Sequence, residues 1–562
     1  MRPIHVRLLP LDAASAFRVS APAALVPVEH FAGTALSEHR FSFYGETHRL
    51  DASIDWEANP GTWHWGHDLN RFGFLLLYDL DPSQGTAETL LRLIEDWLDK
   101  NGCQPRPLSA HAWQNLLNVA IRIENWWRFL SSATQRGHCD ASTDRFQRIA
   151  QGVAAQTIAL LRMIRARGFD DNWSLIGLRA AFYILCSISV FPKRSTLTAL
   201  TLNYLRTALS RQILPDGVQQ ELSPHYHWVA LELIVSIRQL AREAHVPNAP
   251  WLDATIEKMM AFLQAVMSPS GAIVALGDSD AEYGGRIAEF LDQHVDTERA
   301  PSSNASEPDI ALFPYAGLAC VRHRSTRSLL VFDGGPYGTG HQHEDALSFW
   351  LSAFGEDLVV DPGRYLYEKG PDTYYAHLRS TSAHSTIMID GAGQCAETGR
   401  DQWRRSTGGE PNVAIDGADV RLSASYGQGY GPSGIAVRHS RGIVLRENGL
   451  SLLIRDELTG EGPHDVEQNW LIAPGPWTLA GRSFRARRGK AIVEISCSEI
   501  DQLSCRVAEG ERKPYRGWYS PRLNVVLPAP TLIVGGRLTL PVVIETVIRV
   551  SPCSDPSDEF AS

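Results

Sequence analysis

The hydrophobic pattern of this chain changes its period about halfway along. From about residue 85 to 290, apolar residues recur at the three- and four-residue spacing of an amphipathic helix, as at Leu90, Ile94 and Leu98. A polar Ser- and Pro-rich stretch follows, and after it short β-branched and aliphatic runs take over. Because the two periods are segregated along the chain, the sequence predicts an α+β multidomain protein in which a helical domain precedes an all-β domain.

The β half has its own strand and turn signals. Residues 328–332, 386–389 and 531–534 are strand-like, and Asn448–Gly449 lies between two aliphatic runs as the turn of a hairpin does. These limits divide the chain into a lead-in segment at 1–45, a helical domain at 46–295, a linker at 296–310 and an antiparallel β domain at 311–562.

Charge and composition exclude some classes of function. The net charge of −10 argues against a general nucleic-acid binder, but it leaves room for a local basic cleft that binds an anionic sugar. Eight cysteines lie scattered without a C-x-x-C pair, which is typical of reduced thiols. The longest apolar run, near 180–191, is too short to cross a membrane, and the N-terminus lacks the apolar core of a signal peptide. We expect a cytoplasmic protein with no nucleic-acid or membrane partner, or a periplasmic or secreted one if a leader was removed; the oligomeric state stays open.

Two histidines, His341 and His343, and the carboxylate of Glu344 lie within five residues near the start of the β half. His341 and His343 flank Gln342, Asp361 ends an apolar run further on, and His384 follows in a Ser- and Thr-rich segment. Two imidazoles and a carboxylate suit Zn²⁺, with Mn²⁺ as the alternative. Histidines two apart on a strand share a face, but flanking glycines allow a break in that register. One imidazole can then bind a metal while the other faces a cleft, and the pattern alone leaves open which does which.

The helical half contains three polar or aromatic clusters, and each has a structural and a functional interpretation. Trp63 and Trp65 are either a platform for sugar rings or anchors of a helix start, since each aromatic buries a large area. Asn172 is either a helix cap or a polar ligand. Tyr226 stands between two histidines at the start of a helix, where packing is the common role of a tyrosine.

A pair of carboxylates, Asp278 and Asp280, follows Gly277. Such a pair serves as acid and base in glycosidases when the carboxyl groups are suitably separated. The same residue types also make tight turns, and the turn is the interpretation that this spacing favours.

Taken together, these patterns resemble the heparinase II/III-like polysaccharide lyase superfamily over most of residues 45–400. The order and spacing of the motifs make the resemblance specific. In the helical half the motifs are Trp63–Phe72, Arg122–Trp126, Asn172–Trp173 and Gln212–His227; in the β half they are Gly340–Asp345, Asp361–Gly363 and Arg379–Thr386.

The resemblance implies an incomplete (α/α) toroid followed by an antiparallel β-sandwich, with the active cleft between them. Members of the superfamily cleave uronic-acid polysaccharides by β-elimination, which leaves a 4,5-unsaturated sugar at the new end. The expected partner is therefore an anionic polysaccharide or oligosaccharide. It is either a glycosaminoglycan such as heparan sulfate, chondroitin or hyaluronan, or an alginate-like polymer.

The resemblance also implies roles for individual residues. Tyr226 and His341 match the catalytic tyrosine and histidine, and Asn172 matches the residue that neutralises the substrate carboxylate. The residues that match the metal ligands are His343, Asp361 and His384. The expected substrate-binding residues are Arg122, His227, Trp63, Trp65, Glu221 and Arg379. Because Trp173 follows Asn172 where some relatives have histidine, the second carboxylate-neutralising group stays open between Arg122 and His227.

Two other functions compete with a lyase. A toroid-fold glycoside hydrolase would use Asp278 or Asp280 and would leave saturated reducing ends. A non-catalytic protein of polysaccharide binding or biosynthesis would bind the polymer through Trp63 and Trp65 without turnover.

Overall fold

The computed structural model describes most of the chain and divides it into two compact units. The described residues are 7–24, 28–43, 45–61, 63–103, 110–247, 250–294, 307–336, 340–366, 373–394, 397–399, 402–403, 412–416 and 419–553. The first unit is Met1–Gln212 with Ala230–Ala254, and the second is Ile213–Val229 with Thr255–Ser562. The division therefore differs from the boundary expected at 296, because two segments of the helical half belong with the β half. The expected linker at 296–310 lies mostly outside the described residues.

Eleven of the described α-helices follow one another through the helical half of the chain, as the spacing of apolar residues predicts, and a twelfth, short one lies in the β half. They are α1 (Ala13–Ala16), α2 (Trp63–Arg71), α3 (Leu77–Leu80), α4 (Gln84–Asn101), α5 (Leu116–Gln135), α6 (Asp144–Arg167), α7 (Asn172–Ser187), α8 (Arg194–Gln212), α9 (Pro224–Glu243), α10 (Pro250–Ala265), α11 (Gly284–His294) and the short α12 (Tyr374–Arg379). No helix among the described residues is both long and apolar enough to cross a membrane.

The core of the first unit is built from α5, α6 and α7, which pack on one another. Side-chain oxygens of Asn115, Thr143 and Asp171 accept backbone N–H groups at the starts of these helices and satisfy donors that have no partner within the helix. Nearly every residue of α7 is buried, so this helix lies in the interior of the unit. The helical region is thus confirmed, while its closure into a toroid stays a prediction.

The strands lie mainly in the second unit and pair antiparallel. They are β1 (Arg40–Phe43), β2 (Glu46–Arg49), β3 (Asp309–Phe313), β4 (Leu318–His323), β5 (Ser328–Asp333), β6 (Phe349–Ala353), β7 (Glu356–Val359), β8 (Ile387–Ile389), β9 (Glu397–Gly399), β10 (Gln402–Trp403), β11 (Asn412–Asp416), β12 (Asp419–Tyr426), β13 (Arg438–Arg446), β14 (Ser451–Leu471), β15 (Trp477–Ala480), β16 (Ser483–Arg488), β17 (Ala491–Ser496), β18 (Ser504–Ala508), β19 (Glu511–Arg512), β20 (Tyr515–Arg516), β21 (Trp518–Arg522), β22 (Val525–Pro528) and β23 (Thr531–Pro552).

Two sheets enclose the core of the second unit. One has the order β3-β4-β5-β6-β7, and the other has the order β11-β12-β13-β14-β23-β17-β16-β15, with β18 paired to β23 and β8 to β14. Leu330 and Phe332 of the first sheet and Ile454 and Ile544 of the second belong to one buried cluster. The antiparallel β domain is confirmed, and its two layers arise because each sheet has an apolar face that must be covered.

The predicted hairpin at Asn448–Gly449 is confirmed. It joins β13 to β14 through a four-residue turn, 447–450, in which Glu447, Asn448 and Gly449 have positive φ values of 52°, 55° and 83°. Asn and Gly are the residues that adopt this conformation at least cost. The hairpin thus connects two neighbouring strands of the large sheet.

Candidate active site

Tyr226 lies in the first turn of α9, where the sequence Ser-Pro-His-Tyr begins the helix. Pro224 occupies the first helical position, at which its missing N–H and fixed φ cost nothing. The Ser223 hydroxyl accepts the Tyr226 N–H at 3.5 Å and donates to the Asp278 carbonyl at 3.1 Å. The start of the helix is therefore joined to the turn at 277–280, within the second unit.

The rings of Tyr226 and His341 are stacked. Their centroids are 3.6 Å apart and their planes differ by 9°. Arg364 donates from one terminal nitrogen to the Tyr226 hydroxyl oxygen at 2.9 Å and from the other to Asp280 Oδ2 at 2.6 Å. Two residues that the sequence predicts as catalytic, from segments over a hundred positions apart, thus meet beside a guanidinium.

Asp278 holds three partners with its two oxygens. Oδ2 accepts from His341 Nδ1 at 2.9 Å and from Arg379 at 2.8 Å, while Oδ1 accepts from His343 Nε2 at 2.9 Å. Burial raises the pKa of this carboxyl, but the Arg379 cation and the hydrogen bonds from the two histidines outweigh burial and hold the pKa well below its usual value. Asp278 is therefore an ionised acceptor, and each histidine donates to it.

Gly277 allows this approach of the chain segments. Its φ is +59°, and a Cβ there would lie 2.5 Å from the His341 carbonyl oxygen. The next residue, Asp278, donates its backbone N–H to that same oxygen at 2.8 Å. Only glycine fits both the left-handed angle and the close contact.

The three predicted metal ligands come together. One ligand atom from each of His343, Asp361 and His384 lies within 4.8 Å of the others, and all three side chains are buried. His384 Nδ1 and Asp361 Oδ2 are 2.8 Å apart. His343 Nδ1, Asp361 Oδ1 and His384 Nε2 have no hydrogen-bond partner among the described residues. Buried polar atoms without partners are costly, so three of them in one cluster fit a bound cation.

The chemistry of this donor set also fits a metal. Burial lowers the pKa of His343 to about 4, against the opposing effect of Asp278, so that its imidazole is neutral at pH 7. A neutral imidazole offers a lone pair, and two such nitrogens with a carboxylate oxygen are a common set for Zn²⁺. A divalent ion is therefore compatible with these residues.

Glu221 and Asp280 also lie at the site. Glu221 Oε2 is 3.7 Å from His341 Nε2. Burial raises the pKa of Asp280, although its ion pair with Arg364 opposes this. Asp278 and Asp280 each form a buried ion pair with an arginine, Asp278 with Arg379 and Asp280 with Arg364.

Three of the expected substrate-binding residues have hydrogen-bond partners within the fold. Arg122 is fully buried and donates to Gln156 Oε1 and to the carbonyls of Asn70 and Ala112. His227 is fully buried too, with Gln219 N–H donating to Nδ1 at 3.2 Å and Nε2 at 2.9 Å from the Met259 carbonyl.

Arg379, besides its bond to Asp278, donates to the Gly340 and Gln342 carbonyls. Arg122 and His227 are both buried, with their hydrogen-bond partners inside the fold. The role of either residue as the second carboxylate-neutralising group stays a prediction.

Two tryptophans, Trp63 and Trp65, lie in the first turn of α2. Trp65 is 1% exposed and packs edge-on against Phe43 and His48, which is the contact pattern of a core residue and not of a sugar platform. Trp63 is the first residue of α2, but its side chain lies outside the described residues.

Asn172 is the first residue of α7 in the first unit, and the helix is capped by its neighbour. Asp171 accepts the Ser174 N–H at 3.2 Å. The alternative role of Asn172 as the cap is thus excluded, and its role at a substrate carboxylate stays a prediction.

The sequence did not indicate Arg364 as a residue of the site, nor the histidine partners of Asp278. Arg364 follows the metal-ligand segment by three positions, and the need of a reactive tyrosine for a nearby cation was the signal for it. Asp278 was noticed as a carboxylate, but its two histidine partners are more than sixty positions away along the chain.

Comparison with known proteins gives matches along most of the chain. A family model described as Heparinase II/III N-terminus matches residues 22–296, and one described as Heparinase II/III-like, C-terminal matches residues 305–551. A heparin-sulfate lyase from Pedobacter heparinus is 23% identical over 295 residues, which are 48% of this chain and 41% of that relative. The match thus spans less than half the length of that relative.

Solved structures share the fold over nearly the whole length. A heparinase III structure has a TM-score of 0.76 at 13% identity and covers 97% of this chain and 89% of that chain. The heparan sulfate lyase of Pedobacter heparinus has a TM-score of 0.65 at 17% identity, with 97% and 86% covered. At these identities the similarity establishes the fold.

Proposed function

The chain belongs to the heparinase II/III-like family, and on this basis we propose that it is a polysaccharide lyase that cleaves a uronate-containing glycosaminoglycan by β-elimination. The observation that carries the proposal is the stack of Tyr226 on His341 with Arg364 at the phenol oxygen. The relatives are named as heparin- and heparan-sulfate lyases, which favours a sulfated glycosaminoglycan over alginate.

Elimination requires a base at C5 of the uronate and an acid at the leaving O4. An adjacent cation favours the ionised form of a phenol, so Arg364 would stabilise Tyr226 when it has given up its proton. His341 donates a hydrogen bond from Nδ1–H to Asp278, so Nε2 is the ring nitrogen that carries the lone pair. Each of the stacked residues can therefore transfer a proton.

The epimer of the uronate decides how the two residues share the work. In a glucuronate-type sugar the C5 proton and the leaving group lie on one side, and Tyr226 serves as base and then as acid. In the C5 epimer they lie on opposite faces, so that His341 is the base and Tyr226 the acid. Both arrangements use general acid and base groups already in hydrogen-bond contact with charged partners.

Two further parts of the proposal come from the family resemblance. The amide of Asn172 neutralises the substrate carboxylate and so stabilises the enolate that forms when C5 loses its proton. His343, Asp361 and His384 would hold a divalent ion, for which Zn²⁺ is preferred and Mn²⁺ is the alternative, and the ion would supply positive charge at this cluster. The reacting groups are residues of the chain.

The test is incubation with heparan sulfate, chondroitin, hyaluronan and alginate while near-UV absorbance is followed. A lyase produces a 4,5-unsaturated uronate, which absorbs there. Tyr226→Phe should lower the rate by about 10²–10⁴-fold, the usual contribution of a positioned acid or base. Tyr315→Phe is the matched control, because Tyr315 is 59% exposed in the same unit.

The outcomes separate the competing functions. New reducing ends without the chromophore would indicate a hydrolase, and binding without either product would indicate an accessory protein. No absorbance from any of the four polymers, or a Tyr226→Phe variant as fast as the unaltered protein, would refute the proposal.

A further inference from the structure

We propose that Asp278 is a positioning residue that sets the tautomers of His341 and His343 together and so couples the metal site to the proton-transfer site. The part of this inference that concerns His341 rests on the proposed function, whereas the part that concerns His343 does not. The two histidines are hydrogen-bonded to the Asp278 carboxylate through different ring nitrogens. His341 is bonded through Nδ1 and His343 through Nε2.

The nitrogen left over in each ring is the one that its role needs. An ionised carboxylate only accepts hydrogen bonds, so the proton of each neutral imidazole must lie on the nitrogen facing Asp278. His341 then has its lone pair on Nε2, the nitrogen that lies 3.7 Å from Glu221. His343 has its lone pair on Nδ1, a buried atom without a hydrogen-bond partner that belongs to the predicted ligand cluster.

Asp278 itself is held so that its two oxygens cannot exchange roles. Arg379 bonds Oδ2 and also donates to the carbonyls of Gly340 and Gln342, on either side of His341. The backbone N–H of Asp278 donates to the His341 carbonyl, and its own carbonyl accepts from Ser223. The carboxylate is 3% exposed, so water does not compete for these bonds.

An isosteric amide separates the two halves of this role. In Asp278→Asn, the amide oxygen must face Arg379 and His341, because a guanidinium cannot be placed against an NH₂ group. The NH₂ group then faces His343 Nε2, which can only accept, and the His343 proton moves to Nδ1, where a metal would bind. The amide variant should thus retain the orientation of His341 but lose the ligand form of His343.

The decisive experiment is Zn²⁺ affinity measured by competition with a chromophoric chelator. Asp278→Asn should bind Zn²⁺ about 10–100-fold more weakly, the usual effect of losing a group that orients a metal ligand. The visible spectrum of Co²⁺ in the same site should change as well, because one nitrogen ligand is lost. Circular dichroism of the metal-free protein should be unchanged, since the amide is isosteric with the carboxylate.

The control is Asp280→Asn, which alters the neighbouring carboxylate but not the contacts of His343; it should bind Zn²⁺ as the unaltered protein does. Equal affinity of Asp278→Asn and the unaltered protein would overturn the coupling. So would equal loss in both variants.

The lyase reaction tests the role of Asp278 at His341. Asp278→Ala removes the acceptor of both rings and, when saturated with Zn²⁺, should have a kcat lowered by about 10²-fold with a nearly unchanged KM. A normal kcat would overturn the positioning of His341. If the unaltered protein cleaves none of the polymers, the proposed function fails, but the Zn²⁺ measurement still decides the coupling to His343.

Discussion

Two buried aspartates of the second unit, Asp456 and Asp278, each accept hydrogen bonds from histidine and arginine side chains, but their surroundings differ. Asp456 in the large sheet accepts from His439 at 2.7 Å, from Arg441 at 2.7 and 3.0 Å and from Gln468 at 2.7 Å. Asp278 likewise accepts from histidine and arginine. In both, burial raises the carboxyl pKa, and the partners outweigh burial and lower it.

The two aspartates differ in the other contacts of their histidine and arginine partners. Asp456, His439 and Arg441 are enclosed by the sheet, and Arg441 donates to the carbonyls of Leu347 and Ser385, which tie loops to the sheet. The His341 side chain, by contrast, is 22% exposed and stacked on Tyr226. A carboxylate that sits among strands fixes the fold, whereas one that sits in a turn between segments sets the reactivity of its partners.

The largest effect that tests this contrast is expected from Asp456→Ala. The change leaves Arg441 buried without its counter-ion and should lower the free energy of unfolding of the protein by about 3–5 kcal/mol. Chemical denaturation followed by circular dichroism measures it. A loss below 1 kcal/mol would mean that the core cluster is no more structural than the site, and the contrast would break.

The next effect concerns the reaction and not the fold. Arg364→Lys keeps a positive charge for Asp280 but loses the planar fork that reaches Asp280 and Tyr226 together, so kcat should fall by about 10²-fold. Arg522→Lys is the matched control, because Arg522 forms an exposed ion pair with Glu282. Steady-state kinetics on the cleaved polymer compare the two, and similar losses would contradict the special position of Arg364.

Metal removal should lower the thermal stability of the protein through the predicted metal site, and not through the Asp456 cluster. A metal that binds only the folded chain stabilises it by about 2.7 kcal/mol at a concentration one hundred times Kd, so chelation should lower Tm. In His384→Ala the chelator should have no effect, because a ligand is missing. The expectation fails if unaltered protein and His384→Ala respond to chelator and Zn²⁺ in the same way.

The smallest expected effect is a dependence of stability on pH. Burial lowers the pKa of His227 to about 4, so the folded protein leaves this imidazole neutral while the unfolded chain binds a proton below about 6.5. The stability that this difference provides is present above pH 6.5 and decreases as the pH falls toward 4.

Tm measured at pH 7 and at pH 5 should therefore differ less in His227→Gln than in the unaltered protein. The carboxylates of Asp278 and Asp456 have lowered pKa values and contribute no loss in this window. An unchanged difference in His227→Gln would assign the acid sensitivity to other histidines.

Several parts of the fold and site could be predicted because their signals are local or their motifs are specific. The Asn448–Gly449 hairpin follows from two residues that tolerate positive φ. The set His343, Asp361 and His384 followed from residue types that suit a metal and from the family resemblance, and the three side chains do converge. Tyr226 and His341 came from the same resemblance and are in contact.

The burial of a side chain cannot be deduced from a short motif. Arg122 and His227 have the residue types of substrate ligands, and in the structure both are buried with hydrogen-bond partners inside the fold. The cap of α7 is Asp171 and not Asn172, a shift of one residue that a composition-based argument does not resolve.

What the sequence determined by itself is the order of elements and the types of reactive group. Helical and strand periods are properties of consecutive residues, so an α region followed by a β region can be deduced from the chain alone. What only the tertiary structure decided is which atom of each group faces which partner. Asp278 meets His341, His343 and Arg379 from segments that are 63, 65 and 101 positions away. Hydrogen bonds have strict distances and directions, so the role of each imidazole nitrogen is set only when these segments are packed together.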